Sequence, residues 1–200
     1  MILELEDVGH GFPNGDLLFQ GITLSLHPGN VYALTGPSGS GKSTLLSILA
    51  SWLVPSLGRV RTAGIHRISW VFQNPHGVAR RTALDHVALP HLARGLGRGD
   101  AQVLAHAQLK AFALATVASQ QFRNLSGGEA QRLMLARGIA SAPDLLLIDE
   151  PTAQLDRRTA ELVNASIHAV RSERTIVVVA THDPMTRDGC TDEIDLGLFR

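Results

Sequence analysis

Gly36-Pro37-Ser38-Gly39-Ser40-Gly41-Lys42-Ser43-Thr44 follows the pattern G-x-x-x-x-G-K-[ST]. An apolar β-type run, Val31-Tyr32-Ala33-Leu34-Thr35, precedes it. Leu45-Leu46-Ser47-Ile48-Leu49-Ala50 follows, with its apolar residues at helical spacing. Strand, glycine-rich loop and helix in that order make a phosphate-binding loop. Glycines let successive backbone N–H groups converge on one anion. The helix start adds its N-terminal N–H groups and the positive end of its dipole. Lys42 supplies a compact charge for the β- and γ-phosphates of a nucleotide, and the Ser43 hydroxyl a ligand for Mg²⁺.

Downstream, Leu145-Leu146-Leu147-Ile148 is continuously apolar, as a strand buried on both faces must be, and ends in Asp149-Glu150. Carboxylates at the carboxyl end of a central parallel strand sit where an open α/β sheet places its ligand. Side chains alternate along a strand, so the two can take different roles: Asp149 toward Mg²⁺, Glu150 toward an attacking water. Thr175 to Ala180 reads as a second buried strand and delivers Thr181-His182-Asp183 to the same edge. Asp156 is placed to cap a helix carrying Leu162, Val163, Ile167 and Val170. Glu193 to Leu198 alternates and is expected to close the sheet as an edge strand.

Asn124-Leu125-Ser126-Gly127-Gly128-Glu129 contains an S-x-x-E capping box ahead of a helix ending near Ala140. Two adjacent glycines in a first helical turn weaken the helix, and capping does not need them. Close approach of the backbone to an anion would explain them.

Arg67 to Phe72 reads as a strand with a polar exit, Gln73-Asn74-Pro75. Residues 75–118 are expected to form a helical subdomain inserted into a core made of 1–74 and 119–200. Its first helix opens at Thr82 with Asp85 completing a capping box, and Leu84, Val87, Ala88 and Leu92 share a face bent by Pro90. Its second is capped by Asp100 and runs to about Ala115, with Val103, Leu104, Ala107 and Ala111 on one side. The N-terminal residues read as antiparallel β: Ile2 to Leu5, Leu17 to Phe19 and Gly21 to Leu26, with a turn cluster at Phe12-Pro13-Asn14-Gly15-Asp16. Phe12 either packs the hairpin or stacks on a nucleobase.

The 200 residues carry 18 basic and 18 acidic side chains, so the chain has neither a nucleic-acid footprint nor a polybasic membrane anchor. Cys190 is the single cysteine, which excludes an intrachain disulfide and suits a reducing compartment. The N-terminus lacks a signal-peptide pattern, and no apolar run approaches membrane-spanning length. If the protein serves a membrane, another chain supplies the span.

Together these stretches resemble the nucleotide-binding ATPase of ABC transporters over nearly the whole chain. Gly36 to Thr44 matches that family's Walker A, Gln73 its Q-loop glutamine, and Leu125 to Glu129 its signature. Leu145 to Glu150 matches Walker B with the catalytic glutamate, Asp156 the D-loop aspartate, and His182 the switch histidine. Phe12 falls where the family places its adenine-stacking aromatic. The resemblance implies an α/β P-loop NTPase with a central, mostly parallel sheet, an N-terminal antiparallel β subdomain and an inserted helical subdomain. It implies ATP and Mg²⁺ sandwiched in a head-to-tail homodimer, or a dimer with a related ATPase subunit, and a signature that faces the partner's γ-phosphate. Glu150 would act as general base, His182 would hold the γ-phosphate, and Gln73 would sense Mg²⁺ and water. An integral-membrane permease would hold the chain on the cytoplasmic face of the membrane.

Arg81 to Pro90 is similar to the same segment of lipoprotein-release, macrolide-export and antimicrobial-peptide-export ATPases, and Gln73 to about Gly95 would line a groove for the permease. A soluble ABC-type ATPase acting on an assembly scaffold or regulating a cell-wall enzyme is the alternative. An interaction module with little turnover is a further one, against which Glu150 and His182 argue. Three departures stand out: a short segment between Lys42 and Gln73, Gln154 where a small residue is common, and a tail ending at Arg200, with no appended regulatory domain expected.

Overall fold

Leu145 to Ile148 and Ile176 to Ala180 carry no polar side chain, so both faces of each strand must be covered. The computed structural model, which describes residues 1–12, 16–153, 155–169 and 174–199, covers them with two separate cores. In chain order the elements are β1 (Ile2–Gly11), β2 (Leu17–Leu26), β3 (Val31–Thr35), α1 (Lys42–Leu49), β4 (Leu57–Ala63), β5 (Ile68–Val71), α2 (Ala83–Ala93) and α3 (Arg98–Ala111). Then come α4 (Gly127–Ala140), β6 (Leu145–Asp149), α5 (Arg157–Ala169), β7 (Ile176–Ala180), α6 (Pro184–Asp188) and β8 (Asp192–Asp195).

Five strands form a parallel sheet in the order β5-β6-β7-β3-β8. Alternation along β6 and β7 assigns the two cores. Leu146, Ile148, Val177 and Val179 face α4, α5 and the helical insertion; Leu145, Leu147, Ile176 and Val178 face α1 and the N-terminal sheet. Each fully buried leucine contributes about 2 kcal/mol through the water it sheds. Because β3, β7 and β6 are neighbours, the phosphate-binding loop, His182 and Asp149-Glu150 emerge side by side at one sheet edge. The antiparallel sheet, β2-β1-β4, lies over α1.

Several local expectations need correction. The strands expected at 17–19 and 21–26 are one, β2. Gly21 and Asp7, both left-handed at φ +74° and +50°, absorb a bulge between β2 and β1 without ending either. Helix α3 starts at Arg98 behind Gly97 rather than at Asp100, stops at Ala111, and buries the opposite stripe: Ala101, Ala105 and Leu109 face in, while Val103 is 69% exposed. The small alanines let α3 approach α2 and α4 closely, and that packing outweighs the greater hydrophobicity of Val103 and Leu104. On α2 the inward residues include His86 and His91, and Leu92 points out. The edge strand β8 spans only Asp192–Asp195, and Leu196–Phe199 closes as a 3₁₀ turn. Pro13 to Gly15, Gln154, Val170 and Arg200 lie outside the described residues.

The expected helix starts at Thr82 and Ser126 are present. Each hydroxyl accepts the N–H three residues on, and the Asp85 or Glu129 carboxylate accepts the capping residue's own N–H.

Candidate nucleotide site

The loop after β3 turns too tightly for side chains at two glycines. Gly36 has φ +134°, and a Cβ there would lie 2.9 Å from the Ser40 hydroxyl. Gly41 has φ +95°, and a Cβ would lie 2.9 Å from the Phe19 ring. Gly41 is also the N-cap of α1 and offers no side-chain acceptor, which leaves the helix's positive end for another anion. Lys42 Nζ donates to the carbonyls of Gly36 at 3.0 Å and Pro37 at 3.3 Å, so the ammonium is held over the loop. The Ser40 hydroxyl is buried with no protein partner. Ser38, Gly39 and Thr44 line the same concavity.

The two carboxylates at the end of β6 border one cleft but take different partners. Asp149 Oδ2 accepts the Ser43 hydroxyl at 2.8 Å. Burial pushes the Asp149 carboxyl above the usual range. The Ser43 bond opposes that shift, the Glu150 charge adds to it, and Lys42 offsets it in part. Glu150 sits at φ +44°, a left-handed backbone that costs a non-glycine residue about 1 kcal/mol or more. That turn brings its carboxylate to His182: Nδ1–H donates to Oε2 at 2.7 Å, and the His182 N–H to the same oxygen at 3.4 Å.

These groups border one open cleft of about 720 Å³, shared by the loop, Gln73, Asp149, Glu150 and His182. Phe12 stands at its mouth, 57% exposed, edge-on to His10 at 5.5 Å. Leu18 joins Phe12 there and was not anticipated; in sequence it is one more apolar residue of a strand. The oxygens of Ser43 and Asp149 suit a hard cation that takes its remaining ligands from phosphate and water. No cluster of three or more His, Cys, Asp or Glu able to hold a metal occurs among the described residues.

Ser126, Gly127, Gly128 and Glu129 do not border this cleft. Gly127 instead borders a small cavity of about 60 Å³ that also reaches Gln73, Gln131, Glu150, Pro151 and Leu155. Ser126 N–H and Oγ–H both donate to Glu129 Oε2, at 2.8 and 2.7 Å, and these bonds hold the Glu129 carboxyl below its ordinary range. The paired glycines have different reasons. A Cβ at Gly128 would meet the Thr159 methyl at 2.9 Å, so α5 demands a glycine there, while nothing lies within 4 Å of one at Gly127. Asp156 likewise stays outside the cleft and caps α5, accepting the Thr159 N–H at 3.1 Å and hydroxyl at 2.7 Å; the hydroxyl bond chiefly lowers its pKa.

Asp183, beside His182, was placed at the sheet edge, but its capping role escaped the sequence reading. Its carboxylate accepts the N–H groups of Met185 and Thr186 and the Thr186 hydroxyl, which fixes the start of α6 just past the histidine. The Asp-Pro pair at 183–184 is the helix-start signal that would have found it.

Fold and cleft together define a P-loop nucleoside triphosphatase. Residues 19–153 match the family model described as ABC transporter. The lipoprotein-releasing system ATP-binding protein LolD of Ruegeria pomeroyi is 39% identical over 189 residues, covering 86% of this chain and 83% of that protein. The macrolide export ATP-binding/permease protein MacB of Chromobacterium violaceum is 34% identical over 200 residues, 91% of this chain but 31% of that longer protein. Among solved structures, the dimeric post-hydrolysis state of the ATP-binding cassette MJ0796 bound to ADP and Pi superposes with a TM-score of 0.84 at 28% identity, covering 96% and 93% of the two chains. The chain belongs to the ABC transporter family, as one of its ATP-binding, ATP-hydrolysing cassettes.

Proposed function

We propose that this cassette powers a membrane permease of the lipoprotein-releasing or exporting kind, working as one half of a two-fold dimer. The observation that carries the reading is a division of labour within the chain. Phosphate loop, carboxylates and His182 share one cleft, while none of Ser126 to Glu129 borders it. A helix start with an open glycine suits an anion held by a second molecule, and a two-fold arrangement of the same patch gives two composite sites. In a homodimer, or with a related ATPase subunit, Ser126, Gly127 and Gly128 would then reach the γ-phosphate held by the partner's loop, with Asp156 beside them.

Within the cleft, the Gly36 to Thr44 loop binds the phosphates, Lys42 neutralises the terminal ones and Phe12 stacks on the base. Mg²⁺, held by Ser43 and Asp149 with Gln73 nearby, would offset the charge that develops on the phosphates. Glu150 accepts a proton from the attacking water, and His182 holds Glu150 in position through the 2.7 Å bond and reaches the γ-phosphate. On this reading residues 75–118 act as the helical subdomain.

No helix among the described residues is long and apolar enough to cross a membrane. A groove of about 440 Å³ between β5, α2 and α4 presents Ile68, Trp70, Phe72, Leu89 and Arg137. Its exposed apolar walls suit a segment of a permease, which would hold the cassette at the cytoplasmic face. Two measurements test the proposal. ATP turnover per chain should rise with protein concentration as dimers form, and the chain should co-purify from membranes with a multi-spanning subunit. Full turnover by a chain that sediments as a monomer throughout would overturn the dimer, and a purely soluble partner set the transporter.

A further inference from the structure

His86 is a buried histidine that lies outside the nucleotide cleft. It is 2% exposed, yet both ring nitrogens are engaged. Nδ1–H donates to the Thr82 carbonyl at 2.7 Å, and Nε2 accepts the Val78 N–H at 2.9 Å. A ring that donates at one nitrogen and accepts at the other is neutral and held in one tautomer. Burial lowers its pKa. Arg137 of α4 and Arg81 push the same way, whereas the Thr82 bond and Asp85 of its own helix oppose them.

The Val78 N–H belongs to the segment that leads away from Gln73. That segment runs over the Phe122 ring so closely that a side chain at Gly77 would overlap it, and the same ring lies 5.4 Å from His86. Backbone bonds continue the attachment: Phe122 N–H to Arg81 O at 2.9 Å, Arg123 N–H to Ala79 O at 3.1 Å, and Ala83 N–H to Gln120 O at 2.9 Å. Phe122 to Asn124 is a single 3₁₀ turn, and it feeds directly into Leu125 and Ser126. The chain just after Gln73 is thus pinned on one side to α2 through His86, and on the other to the turn that enters α4.

We propose that His86 is a positioning residue: its neutral ring clips the segment leaving Gln73 to the turn entering Ser126, so that both ends are carried on one block. The proposal rests on the reading of Gln73 and Ser126 as nucleotide-contacting groups. Residues 78 to 81 are exposed, so beyond the backbone bonds to Phe122 and Arg123 they have little apolar burial to hold them. Losing the imidazole acceptor leaves the Val78 N–H without this partner, and the segment frees itself to find water. Gln73 would then sample positions uncoupled from Ser126.

Two variants of the full chain separate a clip from a filler. H86F keeps a ring and makes neither bond; H86Q keeps one donor and one acceptor. H86F should speed amide exchange at Val78 and Arg123 by about tenfold, what one lost half-buried hydrogen bond allows. It should also lower kcat for ATP while leaving KM within about twofold, and H86Q should restore both readouts. Nitrogen NMR of the wild-type chain should show His86 protonated at Nδ1 alone. Wild-type exchange at Val78 in H86F, or faster exchange with kcat unchanged, would overturn the proposal. So would an Nε2–H tautomer in the wild type, which decides the matter even if H86F fails to fold. Gln73→Ala at full turnover would instead remove Gln73 from the reaction, and the exchange data would still report whether the clip exists.

Discussion

Burial disfavours the charged form of Asp149, and Asp149→Asn should expose this. Its carboxyl is pushed up by burial and by the Glu150 charge, with the Ser43 hydroxyl and Lys42 compensating in part. A folded-state pKa above the unfolded value of about 3.9 means that the folded chain binds the proton more tightly. Stability attached to this group is therefore present at low pH and lost as pH rises through the raised value. Asparagine keeps an oxygen for the Ser43 hydroxyl, 2.8 Å away, and removes both the buried charge and its repulsion with Glu150. Against that relief stands the exchange of a charge-assisted bond for a neutral one. The net gain is about 1 kcal/mol, which for a domain of this size is roughly 2–4 °C in Tm.

Thermal melts without nucleotide, in a chelator, from about pH 4, close to the unfolded value, up to about pH 7.5 measure it. The variant's advantage should grow with pH and level off once Asp149 is fully ionised in the folded wild type. With Mg²⁺ and ATP in excess the order should reverse: the wild type gains about 2.7 kcal/mol at a hundredfold excess over Kd, and a variant without the carboxylate ligand gains far less. An asparagine variant less stable than wild type without nucleotide at pH 7, or an advantage that shrinks as pH rises, would refute the reasoning.

Glu150→Gln keeps the bond to His182 and loses the proton acceptor, so hydrolysis should fall by about 10²–10⁴-fold with ATP still bound and the dimer trapped; undiminished steady-state turnover removes Glu150 from the chemistry. Lys42→Ala should weaken nucleotide affinity itself, read by fluorescent-nucleotide titration, and unchanged affinity contradicts the phosphate-loop assignment. Gly58→Ala places a Cβ against the carbonyls of Glu6 and Asp7 at φ +68°, so it should destabilise the β1–β4 pairing by more than about 1 kcal/mol in urea unfolding, leaving the slope m unchanged.

The parallel core was legible because its strands are apolar on both faces and its ligand-bearing residues follow their carboxyl ends. Leu145 to Glu150 and Ile176 to His182 needed no tertiary information beyond that. Helix α3 was not legible. Its inward stripe is alanine, and hydrophobicity alone selects Val103 and Leu104, which the close approach of α2 and α4 leaves outside. The Gly127-Gly128 pair was half legible: the requirement at Gly128 comes from Thr159, thirty-one positions away by number, which no local pattern encodes. Leu18 was missed for the same reason, since it acquires its place only when distant elements meet, whereas the cap at Asp183 was legible in the local Asp-Pro pair and was overlooked.

The charge distribution in the cleft explains why such a cassette should need a second molecule. One ammonium, Lys42, faces the phosphates, while Asp149 and Glu150 point two carboxylates at the same space. A nucleotide triphosphate adds further negative charge to a site already poor in cations. Mg²⁺ held by Ser43 and Asp149, as proposed, would cancel part of it, and the N-terminus of α1 would stabilise some of the rest. Further helix-start donors lie at α4, where Gly127 leaves the backbone open. Ser126 there is bonded back to Glu129, and Gly127 borders a small cavity that shares Gln73 and Glu150 with the cleft but none of the phosphate-loop residues. Within one chain those donors cannot meet the phosphates without moving α4 off the core it shares with β6 and α2. Bringing in the same turn from a second copy requires no such disruption. In the proposed dimer, closure and stabilisation of the terminal phosphate would be one event, which would let the nucleotide cycle do mechanical work on a permease.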